Sequence, residues 1–217
     1  NSFQTIAGFT FFIIVYYLFA GDAAAANPWP ALHGSIGALI TAFLVIPIIT
    51  FMSKRIGKKN TFMVSQGISL IGYILFWFLF VPGKPYLFLY ALPFHSFGIG
   101  GLFTLMMSMT ADACDYEELE NGLPRKEGSF GAIYWWMVKL GTALAGLLSG
   151  LIMYYVGFSA DASTQPEGAL TGLRIAYSSI PIIGTLIAIY VMSDYEIDEK
   201  KAGEIRKQLQ EKNGGPN

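Results

Sequence analysis

Cysteine occurs once in the 217 residues, at Cys114, and charge is scarce, with Asp, Glu, Lys and Arg together making up 13% of the chain. A single cysteine excludes an internal disulfide, and it shows no ligand spacing with His33 or His95, so no metal site is expected. A soluble domain is about a quarter charged. Here the charged share is far lower, while 53% of residues are hydrophobic, 15% are aromatic and mean hydropathy is +0.49. These values indicate an integral membrane protein, with the lipid bilayer as its surroundings and no nucleic-acid partner. No secretory-signal pattern opens the chain, which starts on Asn1 and is apolar by Phe3. A piece of a longer protein is expected.

What is present is a set of long apolar runs. A bilayer core of about 30 Å takes about 20 helical residues to cross. Six stretches qualify, at about 3–20, 34–53, 62–81, 86–109, 129–155 and 173–192. Strands of a membrane barrel alternate apolar and polar residues. Runs such as FTFFIIVYYLF and GYILFWFLFV do not alternate. The expected fold is therefore all-α: a six-helix transmembrane bundle over 1–193, followed by a cytoplasmic tail over 194–217.

Orientation follows from Lys and Arg in the short connections. Lys54, Arg55, Lys58 and Lys59 lie between the second and third stretches. Arg125 and Lys126 precede the fifth, and Lys200, Lys201, Arg206, Lys207 and Lys212 follow the sixth. Eleven of the 14 basic residues thus share one side, assigned to the cytoplasm, which places both ends of the chain there. In the tail, Ile197, Ile205 and Leu209 fall at multiples of four, the pattern of a short amphipathic surface helix. Gly98, Gly100 and Gly101 in the fourth stretch, and Thr142, Gly146 and Gly150 in the fifth, read as close helix packing.

One residue stands out chemically. Lys139 lies ten residues beyond Ser129, roughly 15 Å into the membrane at 1.5 Å per residue. A lysine near the midplane costs at least about 2.5 kcal/mol and normally faces a cavity or a carboxylate. Trp135, Trp136 and Thr142 share its helix face. Indole rings, a cation and a hydroxyl together suit a polyhydroxylated ligand, whose C–H faces stack on aromatics. No carboxylate lies within the six stretches, so the counter-charge is expected in sequence beyond this chain. A second cluster, Asp112, Asp115, Tyr116, Arg125, Lys126 and Glu127, sits where the fourth stretch leads into the fifth. Opposed charges at a helix mouth can open and close with the helices.

The run ADACDYEELENGLPRKEGSFGAIYWWMVKLGTALAG resembles the glycoside–pentoside–hexuronide:cation symporters of the major facilitator superfamily. In that family an AD pair, a DY with an acid shortly after, a basic residue and an EG or ES precede a helix bearing a lysine and small residues. These fall here on Ala111–Asp112, Asp115–Tyr116, Glu118, Arg125 or Lys126, Glu127–Gly128 and Lys139–Leu140–Gly141. The basic RIGKKN segment is similar to the family's matching loop. The resemblance implies one half, the C-terminal six helices, of a twelve-helix carrier in the bacterial inner membrane. It implies that Lys139 lies near the cation and sugar sites, and that Asp112, Asp115 and the basic pair belong to a cytoplasmic gate. The N-terminal six-helix half would then be the partner, holding the main ligands of a coupling Na+ or H+. No other cofactor is expected.

The function implied is cation-coupled symport of a sugar or glycoside by alternating access, with no catalytic residue. Two alternatives stand beside it. The same fold could carry a lysolipid, since the fifth stretch is apolar and rich in tryptophan. A membrane lipid head-group transferase would use Asp112 and Asp115 to hold a divalent metal, but the sequence has no second acidic motif to complete such a site.

Overall fold

The computed structural model describes residues 8–122, 126–159, 162 and 165–212, and the described residues contain helices and no strands. In chain order the helices are α1 (Gly8–Leu18), α2 (Ala23–Ile56), α3 (Lys58–Leu79), α4 (Pro85–Asn121), α5 (Glu127–Tyr155), α6 (Glu167–Ser193) and α7 (Glu199–Lys212). Five of them, α2 to α6, are long and apolar enough to cross a membrane. In lipid every backbone N–H and C=O must be satisfied within the segment, so helices are the form these apolar runs take.

The bundle is built around α3, which packs along both α4 and α6. Small residues make the approach possible. A Cβ added at Gly72 would meet the backbone nitrogen of His95 at 2.6 Å, and one at Gly98 would meet Ser69 Cβ at 2.8 Å. One at Gly100 would strike Val45 Cγ1 at 2.8 Å, and one at Gly101 would lie 2.9 Å from Ser65 Cβ. Close backbone contact replaces hydrophobic exclusion as the adhesive between helices in lipid. The glycines of the fourth stretch are thus a helix seam.

Two apolar clusters fill the bundle at opposite ends. One holds Phe9, Phe76, Phe80, Phe88 and Tyr177. The Tyr177 ring meets Phe76 at 5.5 Å and Phe80 at 5.3 Å, both edge to face, the favoured arrangement of aromatic quadrupoles. The other holds Val45, Ile49, Phe62, Leu105, Met109 and Met192. Arg174, just inside α6, is clamped between Tyr17 and Trp77 at 4.2 and 4.6 Å from the ring centroids and donates to the Trp77 carbonyl at 2.8 Å.

The three intrahelical prolines have different consequences. Pro47 follows a widened π-helical segment, Thr41–Val45, and Pro93 follows a tightened 3-10 segment, Pro85–Ala91. Both changes of pitch absorb the N–H that proline lacks. Pro181 sits inside α6 without ending it. The turn from α2 to α3 is made by Gly57 at φ +80°, a conformation that favours glycine.

Candidate functional site

The basic end of the bundle is tied together by lysines. Lys58, at the start of α3, pairs with Asp112 of α4 at 2.5 Å, and Asp112 is buried. Lys59 donates to the backbone carbonyls of Ser193 and Tyr195 at 2.7 and 2.8 Å, where α6 ends. Cations at a helix C-terminus satisfy its orphan carbonyls and its dipole. The Tyr195 hydroxyl donates to the Met109 carbonyl at 3.4 Å, returning the chain to α4. Burial, and next the charge of Asp112, push the Tyr195 phenol up to about 12. Beyond it α7 buries Ala202, Ile205 and Leu209 against the protein, in contact with α4, so the tail helix is docked.

The sequence-nominated cluster at this end is only partly brought together. Asp112 and Asp115 are buried on α4, and Tyr116 lies under Lys201, 5.2 Å from its ring. Lys126 pairs with Glu117 at 2.9 Å, both partly exposed, and Glu127 is exposed. Arg125 lies outside the described residues. The partner of Asp112 is therefore Lys58 of the RIGKKN segment, which the sequence pattern tied to orientation and to the family's matching loop but not to Asp112. Its signal was present: Lys54, Arg55, Lys58 and Lys59 cluster next to a helix start, and Asp112 is a buried acid at the same end of the bundle.

The second nominated group lies on α5. This helix is regular from Glu127 to Tyr155, and Ala145 is its one buried residue. With 3.6 residues per turn its surface divides into three faces. A packing face around Val138, Ala145 and Ser149 turns to the bundle. A leucine face carries Leu140, Leu144, Leu147, Leu148 and Leu151, all exposed. The third face carries Trp135, Trp136, Lys139, Thr142, Gly146 and Gly150, also exposed. A Cβ added at Gly146 or Gly150 would meet nothing within 4 Å. Lys139 makes no ion pair among the described residues, and the Thr142 hydroxyl donates only to the Val138 carbonyl, 2.9 Å away on its own helix. So Lys139, both tryptophans and Thr142 form one face, which among the described residues lines neither cavity of the bundle and stands apart from the basic end.

A cavity of about 580 Å³ opens elsewhere, between α1, α2, α4 and α6. Its walls include His33 and His95, whose rings lie 6.4 Å apart and whose Nε2 atoms are buried without partners. An intramembrane histidine usually bonds a neighbouring carbonyl or hydroxyl, and His95 Nε2 does not. The two are 62 positions apart in sequence, so no local motif pairs them.

Apolar spanning helices, glycine seams and a basic end define a multi-pass membrane protein. The sequence pattern of the MFS/sugar transport protein family matches residues 1–199. The chain belongs to that family and, within the major facilitator superfamily, to its glycoside–pentoside–hexuronide:cation symporter group. It is 32% identical over 159 residues to a glucuronide carrier protein homolog of Escherichia coli (strain K12), covering 73% of this chain and 34% of that protein. It is 27% identical over 168 residues to the isoprimeverose transporter of Lactiplantibacillus pentosus, covering 76% and 34%. With an uncharacterized symporter of Bacillus subtilis (strain 168) it shares 28% over 182 residues, 84% and 38%. The chain thus spans a little over a third of the length of these relatives.

Proposed function

We propose that this chain is the C-terminal half of a secondary carrier that moves a sugar or glycoside together with a cation by alternating access. The observation that carries the reading is the third face of α5: a lysine and two indoles followed by a GxxxG step, all open in this chain. In carriers of this kind, substrate and coupling ion bind near the midplane between two bundles that rock against each other. A second six-helix bundle, supplied by sequence outside this chain, would cover that face and give Lys139 its counter-charge. Lys139 would then lie beside the sugar and the coupling Na+ or H+, with Trp135 or Trp136 stacking on the sugar and Thr142 within reach of a hydroxyl. The names of the relatives, a glucuronide carrier homolog and an isoprimeverose transporter, support a glycoside as cargo.

The basic end would be cytoplasmic by the charge rule. There Lys58, Lys59, Asp112 and Tyr195 would hold α3, α4, α6 and α7 as one block, so that the half moves as a body rather than helix by helix. Asp115, Tyr116, Arg125, Lys126 and Glu127 would lie at the mouth that closes when the halves meet.

Lys139→Ala in the complete carrier tests the reading. Sugar uptake coupled to a cation gradient is expected to fall at least a hundredfold, with membrane insertion and expression unchanged. Uptake at the parental level would remove Lys139 from the site.

A further inference from the structure

We propose that the cavity between α1, α2, α4 and α6 is a second subsite, which takes the apolar aglycone of an alkyl or aryl glycoside and holds its oxygen between His33 and His95. This rests on the sugar-carrier reading for its cargo, but on separate residues: none of Lys139, Trp135, Trp136 and Thr142 lines the cavity.

The size fits a small organic group. Ligand pockets run from about 300 to 1,000 Å³, and the 580 Å³ here falls inside that range. A water occupies about 30 Å³ of liquid, so a single bridging water leaves most of the space empty. The walls are mainly carbon, with Phe11, Ile46, Leu92 and Ile99 among them, and no charged side chain lines the space. An anionic or cationic occupant would therefore lack a counter-charge, whereas an uncharged apolar one gains dispersion contacts with these walls.

The polar capacity of the walls is narrow and specific. Two hydroxyls are already committed to one carbonyl: Ser96 Oγ and Thr41 Oγ1 both donate to Gly37 O, at 3.3 and 2.8 Å. Thr10 Oγ1 donates to the Tyr177 hydroxyl at 3.4 Å. The two imidazoles line the same space. His95 is 8% exposed, and its Nε2 and that of His33 have no partner. A buried nitrogen left unsatisfied is unfavourable, and two such nitrogens on facing helices, α2 and α4, can share one ligand. Both Nε2 atoms are buried, and rotation about the broad torsion that orients an imidazole is what would present a nitrogen of each ring to the space. With ring centroids 6.4 Å apart, one oxygen at about 2.9 Å from a nitrogen of each ring spans the pair. Neutral imidazole is a donor at one nitrogen and an acceptor at the other. A hydroxyl therefore satisfies both rings at once, and an ether oxygen satisfies one.

The experiment uses the complete carrier in nanodiscs and a diazirine-bearing octanol as photoprobe, with labelled peptides mapped by mass spectrometry. The expected result is labelling of the α1, α2 and α4 walls. Phenyl glycosides from a panel of glucuronide, glucoside and xyloside should suppress it at least tenfold, and the matching methyl glycosides should not. His33→Phe with His95→Phe should reduce the label about tenfold, and Ala42→Trp, which fills the space, should abolish it. Thermal melts confirm that each variant is folded. Label absent from these walls, or suppressed by lysolipid and by no phenyl glycoside, overturns the proposal. Failure of Lys139→Ala to impair uptake would bear on the transport site alone, because the photolabel is read without transport.

Discussion

Removing one partner of the Lys58–Asp112 pair is expected to loosen the basic end, and the loosening can be read at a residue already in place. Exposed ion pairs contribute about 0.2–1 kcal/mol, while breaking a fully buried pair costs about 3–5 kcal/mol. Side-chain exposures of 7% for Asp112 and 19% for Lys58 put this pair between those limits. A penalty of about 2–3 kcal/mol follows, or about 30- to 150-fold in the opening equilibrium at 1.36 kcal/mol per tenfold. Cys114, on α4 two residues beyond Asp112, is 2% exposed and reports that opening. In the complete carrier with Cys114 as its only cysteine, a membrane-permeant maleimide should label Lys58→Met about 30- to 150-fold faster than the parent. Asp112→Asn should have a smaller effect, because the lysine it orphans is the more exposed partner and can turn to water. The double variant should label more slowly than Lys58→Met, since no buried charge is then left alone. Parental rates in both single variants, or effects that simply add in the double, would refute the claim that this pair holds the end shut.

Three further outcomes are expected. Gly101→Val drives a side chain into Ser65 on α3 and should lower the melting temperature in detergent, at about 1–3 kcal/mol for overpacking; an unchanged melt would sink the seam. Docking of α7 should weaken as pH rises above about 10. The undocked Tyr195 phenol ionises at its ordinary value, the docked one only near 12, and stability is lost between the two; amide exchange in α7 that does not quicken above pH 10 counts against the contact. Gly146→Leu should destabilise the complete carrier as Gly101→Val does, although an added Cβ there meets no described residue within 4 Å, and unaltered stability would mean that this face looks onto lipid.

Much of this architecture is legible in the sequence, because lipid leaves the backbone few options. Apolar runs of spanning length become helices, and glycines at Gly98 and Gly101 become the seam where α3 meets α4. The tail pattern of Ile205 and Leu209 was visible too, since an amphipathic period survives any tertiary context. What was hidden is pairing across distance. Asp112 was legible as part of a charged helix mouth, grouped with Arg125 and Lys126 of the connection that follows it, whereas Lys58 arrives from 54 residues upstream. Tyr17 likewise lies under the guanidinium of Arg174, a residue far along the chain. His33 and His95 are each unremarkable in sequence; only the packing of α2 on α4 sets the two rings together.

The openness of α5 has two physical readings, and its residue types choose between them. A face turned to lipid is selected for large apolar side chains, and this chain supplies examples: Phe43, Phe51, Phe78, Ile183 and Ile187 are exposed on other spans. The leucine face of α5 follows the same rule. The neighbouring face does not. Lys139 there would bear the full expense of a cation in hydrocarbon, and Thr142, Gly146 and Gly150 would offer acyl chains little to pack against. Small residues at a spacing of four are what lets another helix approach within lipid, and a cation stays in a membrane where something of opposite sign or a polar cleft receives it. One helix thus presents leucine to the bilayer on one side and a lysine above a glycine step on the other. That division is what the proposed carrier requires of the helix that would meet a second bundle.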